Sequence, residues 1–206
     1  MFIHPFTCLI SGPTGCGKTS FVKSIIESNI IYPKPKNIAW FYAEDQPLYS
    51  SMKEIAKFRK GLPDILDVYF DGKTRSLLIL DDLMTQAHSD ERLTKLFSVG
   101  SHHRNLSVIF IVHNLFHQGK EMRNISLNSH YIILFKNPRD KQQISTLARQ
   151  MYPGNSKFVV EAYTDATEKA YGYLVFDLKP ATDERFRIRT GVLSSETPLV
   201  YIPNDL

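Results

Sequence analysis

Long apolar runs are missing from this chain. None reaches the roughly 20 residues that a membrane-spanning helix needs, so no membrane segment is expected. The first residues, Met1-Phe2-Ile3-His4-Pro5-Phe6, have neither the basic region nor the extended apolar core of a secretory signal. Cysteine is scarce, with two in 206 residues. Cys8 and Cys16 stand without companions at metal-ligand spacing, which excludes a zinc module and a disulfide framework. The expectation is a reducing, intracellular location. Internal repeats, low-complexity tracts and linkers are absent too. One domain over residues 1–190 follows, with residues 191–206, which hold Pro198 and Pro203 and no periodicity, as a tail or arm. The positive excess is small, +4, which permits nucleic-acid contact without requiring it.

Against these absences one stretch stands out. Leu9-Ile10-Ser11 is a short apolar run, Gly12-Pro13-Thr14-Gly15-Cys16-Gly17-Lys18-Thr19-Ser20 follows, and an amphipathic segment begins at Phe21-Val22. This is Gly-x-x-x-x-Gly-Lys-Thr between a strand and a helix, the P-loop pattern in its required context. Glycines let successive backbone N–H groups converge on one anion, and the helix N-terminus adds its partial positive charge. Gly12 to Ser20 are therefore the candidate phosphate cradle. Lys18 is expected to reach the β- and γ-phosphates of ATP, and the Thr19 hydroxyl to bind Mg²⁺. A Gly-rich surface turn is the competing reading, and the flanking elements argue against it.

Strands alternate with helices along the rest of the chain, which predicts an α/β layered domain around a mainly parallel sheet. Phe21, Val22, Ile25, Ile26 and Ile30 share a helical face closed by Pro33 and Pro35. Strands are expected at 38–42, 66–70, 76–80, 107–112 and 131–135, with late strands at 173–176 and 186–189. Helices are expected from Pro47 to about Phe58, from Ser89 to Gly100, after Asn137-Pro138, and from Ser156 to about Thr167.

The strand Ser76-Leu77-Leu78-Ile79-Leu80 runs into Asp81-Asp82. An acid at the end of a buried strand beside a P-loop holds Mg²⁺ in a Walker B element, and a second acid after it polarises the attacking water. Asp81 is assigned to the metal and Asp82 to the general base; the bland alternative is that Asp82 caps the next turn. Paired acids favour hydrolysis over simple phosphoryl transfer. The strand ending at Val112 leads into His113-Asn114. In ATPases with an extra strand between the P-loop and Walker B strands, a polar residue here senses the γ-phosphate, so either His113 or Asn114 is the candidate sensor.

Several further stretches occur in order: Leu80-Asp81-Asp82-Leu83, Leu96 to Ser107, Asn114-Leu115-Phe116-His117-Gln118-Gly119-Lys120, Lys136-Asn137-Pro138-Arg139-Asp140, Leu147 to Pro153 and Tyr171-Gly172-Tyr173-Leu174. From about Phe6 to about Arg189 the chain resembles the genome-packaging ATPases of Polinton/Maverick elements and adintovirus-like viruses. Those belong with poxvirus-type packaging ATPases in the FtsK–HerA superfamily. One position departs: such proteins are expected to carry glutamine where His113 stands. The resemblance implies a RecA/ASCE-like three-layer P-loop NTPase that hydrolyses ATP in a homo-oligomeric ring or partial ring. It implies double-stranded DNA as cargo, a preformed capsid (capsid protein or portal vertex) as partner, and the site of virion assembly in a host cell as location. In such rings one subunit lends an arginine to its neighbour's nucleotide, and Arg104, Arg123 and Arg139 are the candidates.

DNA contact is expected through backbone phosphates, from the loop Phe116 to Asn124, from Lys73 and Arg75, or from Arg185, Arg187 and Arg189, which share one side if their segment is a strand. The last three equally suit protection of a sheet edge. Two other functions fit the P-loop: a nucleotide kinase, and a non-catalytic assembly factor that nucleotide stabilises.

Overall fold

A computed structural model describes residues 1–63, 70–84, 91–100, 105–116 and 120–203. The expected strand at 66–70, apart from Phe70, and the expected helix start at Ser89 lie outside these residues, as do His102, His103 and Arg104.

The chain folds as three layers. The sheet contains β2 (Thr7–Ser11), β4 (Asn37–Tyr42), β5 (Lys57–Lys60), β6 (Ser76–Asp81), β7 (Leu106–Val112), β8 (Tyr131–Phe135), β9 (Tyr173–Asp177), β10 (Ile188–Thr190) and β11 (Leu199–Tyr201). Their order across the sheet is β11-β10-β9-β8-β2-β7-β6-β4-β5. From β8 to β5 every neighbouring pair is parallel, whereas β9, β10 and β11 each run antiparallel to the strand before. A separate parallel pair joins β1 (Phe2–Ile3) to β3 (Ile31–Tyr32).

Burial follows from the period of two. Leu78, Leu80, Val108, Phe110, Ile132 and Leu134 point to one face. There they meet Leu93 of α3 (Glu91–Lys95), Met122 and Ile125 of α4 (Lys120–Leu127), Ile144 and Leu147 of α5 (Gln142–Met151), and Val159 of α6 (Ser156–Ala166). Leu77, Ile79, Ile109, Ile111 and Ile133 point to the other face. They meet Phe21, Val22, Ile25 and Ile26 of α1 (Lys18–Glu27), and Tyr49 of α2 (Pro47–Ser50). Strands covered on both sides read as continuous apolar runs, which is why they were visible in the sequence.

Four expectations need correction. The helix from Pro47 stops at Ser50, and Lys57–Lys60 is an edge strand paired with Ala39 to Tyr42. Tyr49, Met52 and Ala56 are all buried and imitate helical spacing. Phe58 alone turns inward from the edge strand, stacking on Trp40 and Tyr49 at 5.5 and 4.9 Å between centroids. Helix α1 ends at Glu27, because Asn29 takes a left-handed φ of 53°, and Ile30 lies beyond it. Asn137 does not cap α5: its Oδ1 accepts from the N–H groups of Arg139 and Asp140, a closed turn that delays the helix to Gln142. Residues 191–203 are no appendage, since β11 extends the sheet and the Tyr201 hydroxyl donates to Asp165 at 2.6 Å.

Candidate functional site

The P-loop leaves β2 at the centre of the sheet. Gly12 N–H donates to Val112 O at 3.4 Å, and a Cβ on Gly12 would stand 2.7 Å from the Phe135 Cβ, so only glycine lets β8 pack this close. Gly15 and Gly17 take φ of 78° and 96°, left-handed values that turn the loop back into α1. Gly17 is the N-cap residue and offers no side chain, so the first amides of α1 are left for an anion. The Lys18 ammonium donates to Gly12 O and Pro13 O at 2.6 and 2.9 Å. Burial pulls its pKa down, while the nearby Cys16, Asp81 and Asp82 push it back up.

The two acids come from the end of β6. Strand β7 lies between β2 and β6, as expected for an extra strand separating the two motifs. Asp81 is buried, and its Oδ2 accepts from the Thr19 hydroxyl at 3.3 Å and the Tyr49 hydroxyl at 2.9 Å. Burial raises the Asp81 pKa, and those two hydrogen bonds oppose the rise. Asp82 is exposed and left-handed, with φ 57°, and its Oδ1 lies 3.0 Å from Nε2 of His113. The fold therefore brings Lys18, Thr19, Asp81, Asp82 and His113 together in one cleft of about 700 Å³. Paired hydroxyl and carboxylate oxygens on Thr19 and Asp81 suit Mg²⁺, which is held through one or two carboxylates and the substrate's phosphates. Among the described residues no group of three His, Cys, Asp or Glu side chains is placed to hold a metal ion.

The other candidates separate. Asn114 spends its Oδ1 on Phe116 N–H at 2.8 Å, a turn bond, so of the two sensor candidates His113 is the one facing Asp82. Arg139 is exposed and lines a second cleft with Pro13, His113 and Asn114. Arg123 is exposed on α4 and lines neither cleft, and Arg104 falls outside the described residues. Lys73 and Arg75 precede Ser76 at the start of β6, the end of the strand away from Asp81. Arg185, Arg187 and Arg189 do not share a strand, because Glu184–Phe186 is a 3₁₀ turn. Each is engaged by an acid instead: Arg185 by Asp183 at 2.8 Å, Arg187 by Glu184, and Arg189 by Asp177 at 2.9 Å.

Sequence reasoning missed two polar residues of the site. Tyr49 was hidden in an apolar pattern. Gln143 is buried on α5, and its Oε1 accepts from Ser11 Oγ at 3.2 Å and Leu115 N–H at 2.8 Å, while its Nε2 donates to Asp140 at 2.9 Å. It clamps the end of the P-loop strand, the loop after His113 and the turn bearing Arg139. A glutamine on the apolar side of a helix was the available signal.

No protein-family model matches the chain, and no curated protein sequence does. Among solved structures it is similar to B204, the DNA-packaging ATPase of Sulfolobus turreted icosahedral virus, with a TM-score of 0.57, 13% identity, and 97% of this chain and 98% of that one covered. It is similar as well to the genome-packaging NTPase B204 of Sulfolobus turreted icosahedral virus 2 in complex with ATP-gammaS, with a TM-score of 0.54, 13% identity, and 97% of each chain covered. The chain has the fold of a viral genome-packaging NTPase. The α/β domain around a mainly parallel sheet expected from the sequence is thus borne out, and the finer poxvirus- or Polinton-type resemblance rests on the motifs alone. No helix among the described residues is long and apolar enough to cross a membrane.

Proposed function

We propose that the chain is an ATP-hydrolysing motor that drives double-stranded DNA into a preformed viral capsid. The observation that carries this reading is the meeting of Lys18, the Thr19–Asp81 pair and the Asp82–His113 pair at one end of a sheet whose whole fold matches a DNA-packaging ATPase. Lys18 exchanges its two carbonyl acceptors for phosphate oxygens. Thr19 and Asp81 hold Mg²⁺, which when bound neutralises charge on the β- and γ-phosphates. Asp82 takes the proton of the attacking water, and His113 orients that carboxylate and reads the γ-phosphate. The exposed Arg139, near the rim of the cleft, is placed to enter a neighbouring subunit's site in a homo-oligomeric ring. DNA is held by phosphate contacts from the segment that includes Lys120 and Arg123, which follows β7 and so responds to what His113 meets. The capsid vertex is the partner, and the host cell's site of virion assembly is the location.

The test is ATP turnover of the purified chain with and without duplex DNA, alongside sedimentation. DNA-stimulated hydrolysis that is lost in Lys18→Ala and Asp82→Asn, from a self-associating protein, supports the motor. Transfer of phosphate to a nucleoside would move the chain to the kinases. Turnover that ignores both DNA and Asp82→Asn would make it a nucleotide-stabilised assembly factor.

A further inference from the structure

The cleft of about 700 Å³ has walls beyond the groups that hold phosphate and metal. Besides Lys18 and Thr19 its lining takes in Ser20, Phe21 and Ser24 of α1 and, from later in the chain, Tyr171, Tyr173, Leu193 and Glu196. Beyond it Ser194 Oγ donates to Ser28 Oγ at 3.3 Å, so the turn at 192–196 lies beside the far end of α1. Among the lining residues Lys18 and His113 are the basic ones, and both stand at the phosphate end. Elsewhere the lining sets Phe21, Phe135, Tyr171, Tyr173 and Leu193 beside Ser24 and Glu196, the carboxylate of Glu196 being engaged by the Tyr173 hydroxyl, a surface for an uncharged flat group.

Tyr171 is held there against its own preference. It is 67% exposed and has a left-handed φ of 63°, unfavourable for an aromatic residue. The next residue explains how the chain enforces it. A Cβ on Gly172 would stand 2.5 Å from Ala166 O and 2.8 Å from Thr167 Cα, so the backbone is pressed against the end of α6 and turns sharply just before it. The ring is thereby set against the phosphate loop, its Cδ1 3.2 Å from the point a Gly17 Cβ would occupy. The opposite wall is fixed as well. Glu196 Oε2 accepts from the Tyr173 hydroxyl and from Leu193 N–H at 3.1 Å, and the Tyr173 oxygen accepts from Val192 N–H at 3.0 Å.

We propose that Tyr171 and the turn 192–196 form the nucleobase subsite of this cleft, the Tyr171 ring stacking on the base of a nucleoside triphosphate and Leu193 covering it. The proposal rests on the P-loop being a nucleotide site. It gives the Tyr171-Gly172-Tyr173 stretch a role that hydrolysis does not. Strain at an exposed residue is retained where the side chain is used.

Calorimetric titration with ATP and with tripolyphosphate, both with Mg²⁺, separates base from phosphate. Tyr171→Asn is the informative variant, because asparagine accepts the left-handed backbone while removing the ring. It is expected to weaken ATP binding about tenfold or more, the usual worth of one stacked base, and to leave tripolyphosphate binding within about twofold. Leu193→Ala is expected to act in the same sense, and Tyr171→Phe, which keeps the ring, to weaken ATP binding less than Tyr171→Asn. ATP affinity untouched by both Tyr171→Asn and Leu193→Ala, or equal weakening of ATP and tripolyphosphate, overturns the subsite. An unaltered protein that binds neither ligand overturns the nucleotide reading itself, and the subsite with it.

Discussion

Nε2 of His113 lies 3.0 Å from Oδ1 of Asp82, so the residue expected to sense the γ-phosphate and the residue expected to activate water touch each other. The contact follows from strand order: β7 is inserted beside β6, and Asp82 N–H donates to Ile111 O at 3.2 Å, which sets the two strand ends level. Both side chains are about half exposed, so the pair acts through orientation more than through fold stability.

Asp82→Asn is therefore expected to lower kcat for ATP about 10²–10⁴-fold, the range for loss of a general base, with nucleotide affinity nearly unchanged. His113→Gln, which restores the residue type the motif resemblance leads one to expect, keeps a donor for Asp82 and is expected to hold kcat within about tenfold. His113→Ala has no donor and is expected to lose more than His113→Gln. Steady-state ATPase assays with and without duplex DNA check the order. His113→Ala as active as His113→Gln would contradict it.

Asp81 gives a prediction about pH. Burial raises its pKa, so the native state favours the protonated form and loses stability as pH rises through that raised value. Asp81→Asn stays neutral, and its amide oxygen still accepts from Tyr49 and Thr19. The variant is expected to melt above the unaltered protein at neutral pH. The gap should close as pH falls below the ordinary carboxylate value of about 4. Mg²⁺-dependent turnover is expected to vanish at the same time. Thermal melts across the pH range decide, and a variant that melts lower at neutral pH would show that the carboxylate is a net stabiliser.

Much of this arrangement was legible in the residues. The parallel core strands announced themselves because burial on both faces leaves no alternation, and the P-loop because its glycines and lysine have fixed spacing. Asp81 and Asp82 were legible because two acids closing an apolar run contradict its burial. What stayed hidden depends on contacts distant in sequence. Lys57–Lys60 reads as a polar helix end until Trp40 and Tyr49 are seen to cover Phe58. The three late arginines read as a basic strip until their acids are placed. Gln143 looked like one more polar helix residue, because its partners Ser11 and Leu115 are brought to it by the fold.

Gln143→Leu tests that clamp. The leucine fits an apolar environment but leaves the Leu115 N–H and the Ser11 hydroxyl without their buried acceptor. Loss of about 1–3 kcal/mol is expected for each polar group so stranded, read as a lower urea midpoint. Because the clamp joins the P-loop strand to the loop after His113, kcat is expected to fall in the folded fraction as well. Unchanged stability would mean that water replaces the amide.

Arg187 distinguishes a structural arginine from a DNA contact. Its guanidinium is largely buried and donates to the carbonyls of Asp177 at 2.7 Å and Thr182 at 3.1 Å, besides pairing with Glu184. Those bonds close the turn that carries the chain from β9 into β10, where Asp177 N–H returns a bond to Arg187 O at 2.8 Å. Arg187→Ala leaves the carbonyls without a donor, an expected loss of about 1–3 kcal/mol. For a domain of this size that is a fall in melting temperature of about 2–4 °C per kcal/mol. Arg185, whose partner Asp183 is exposed, is expected to be replaceable by alanine without a measurable change. Neither variant is expected to alter DNA affinity or the slope of its salt dependence, which would fall by about one for each phosphate contact removed. A reduced slope in Arg187→Ala, with the melting temperature kept, would return this residue to the DNA-binding surface.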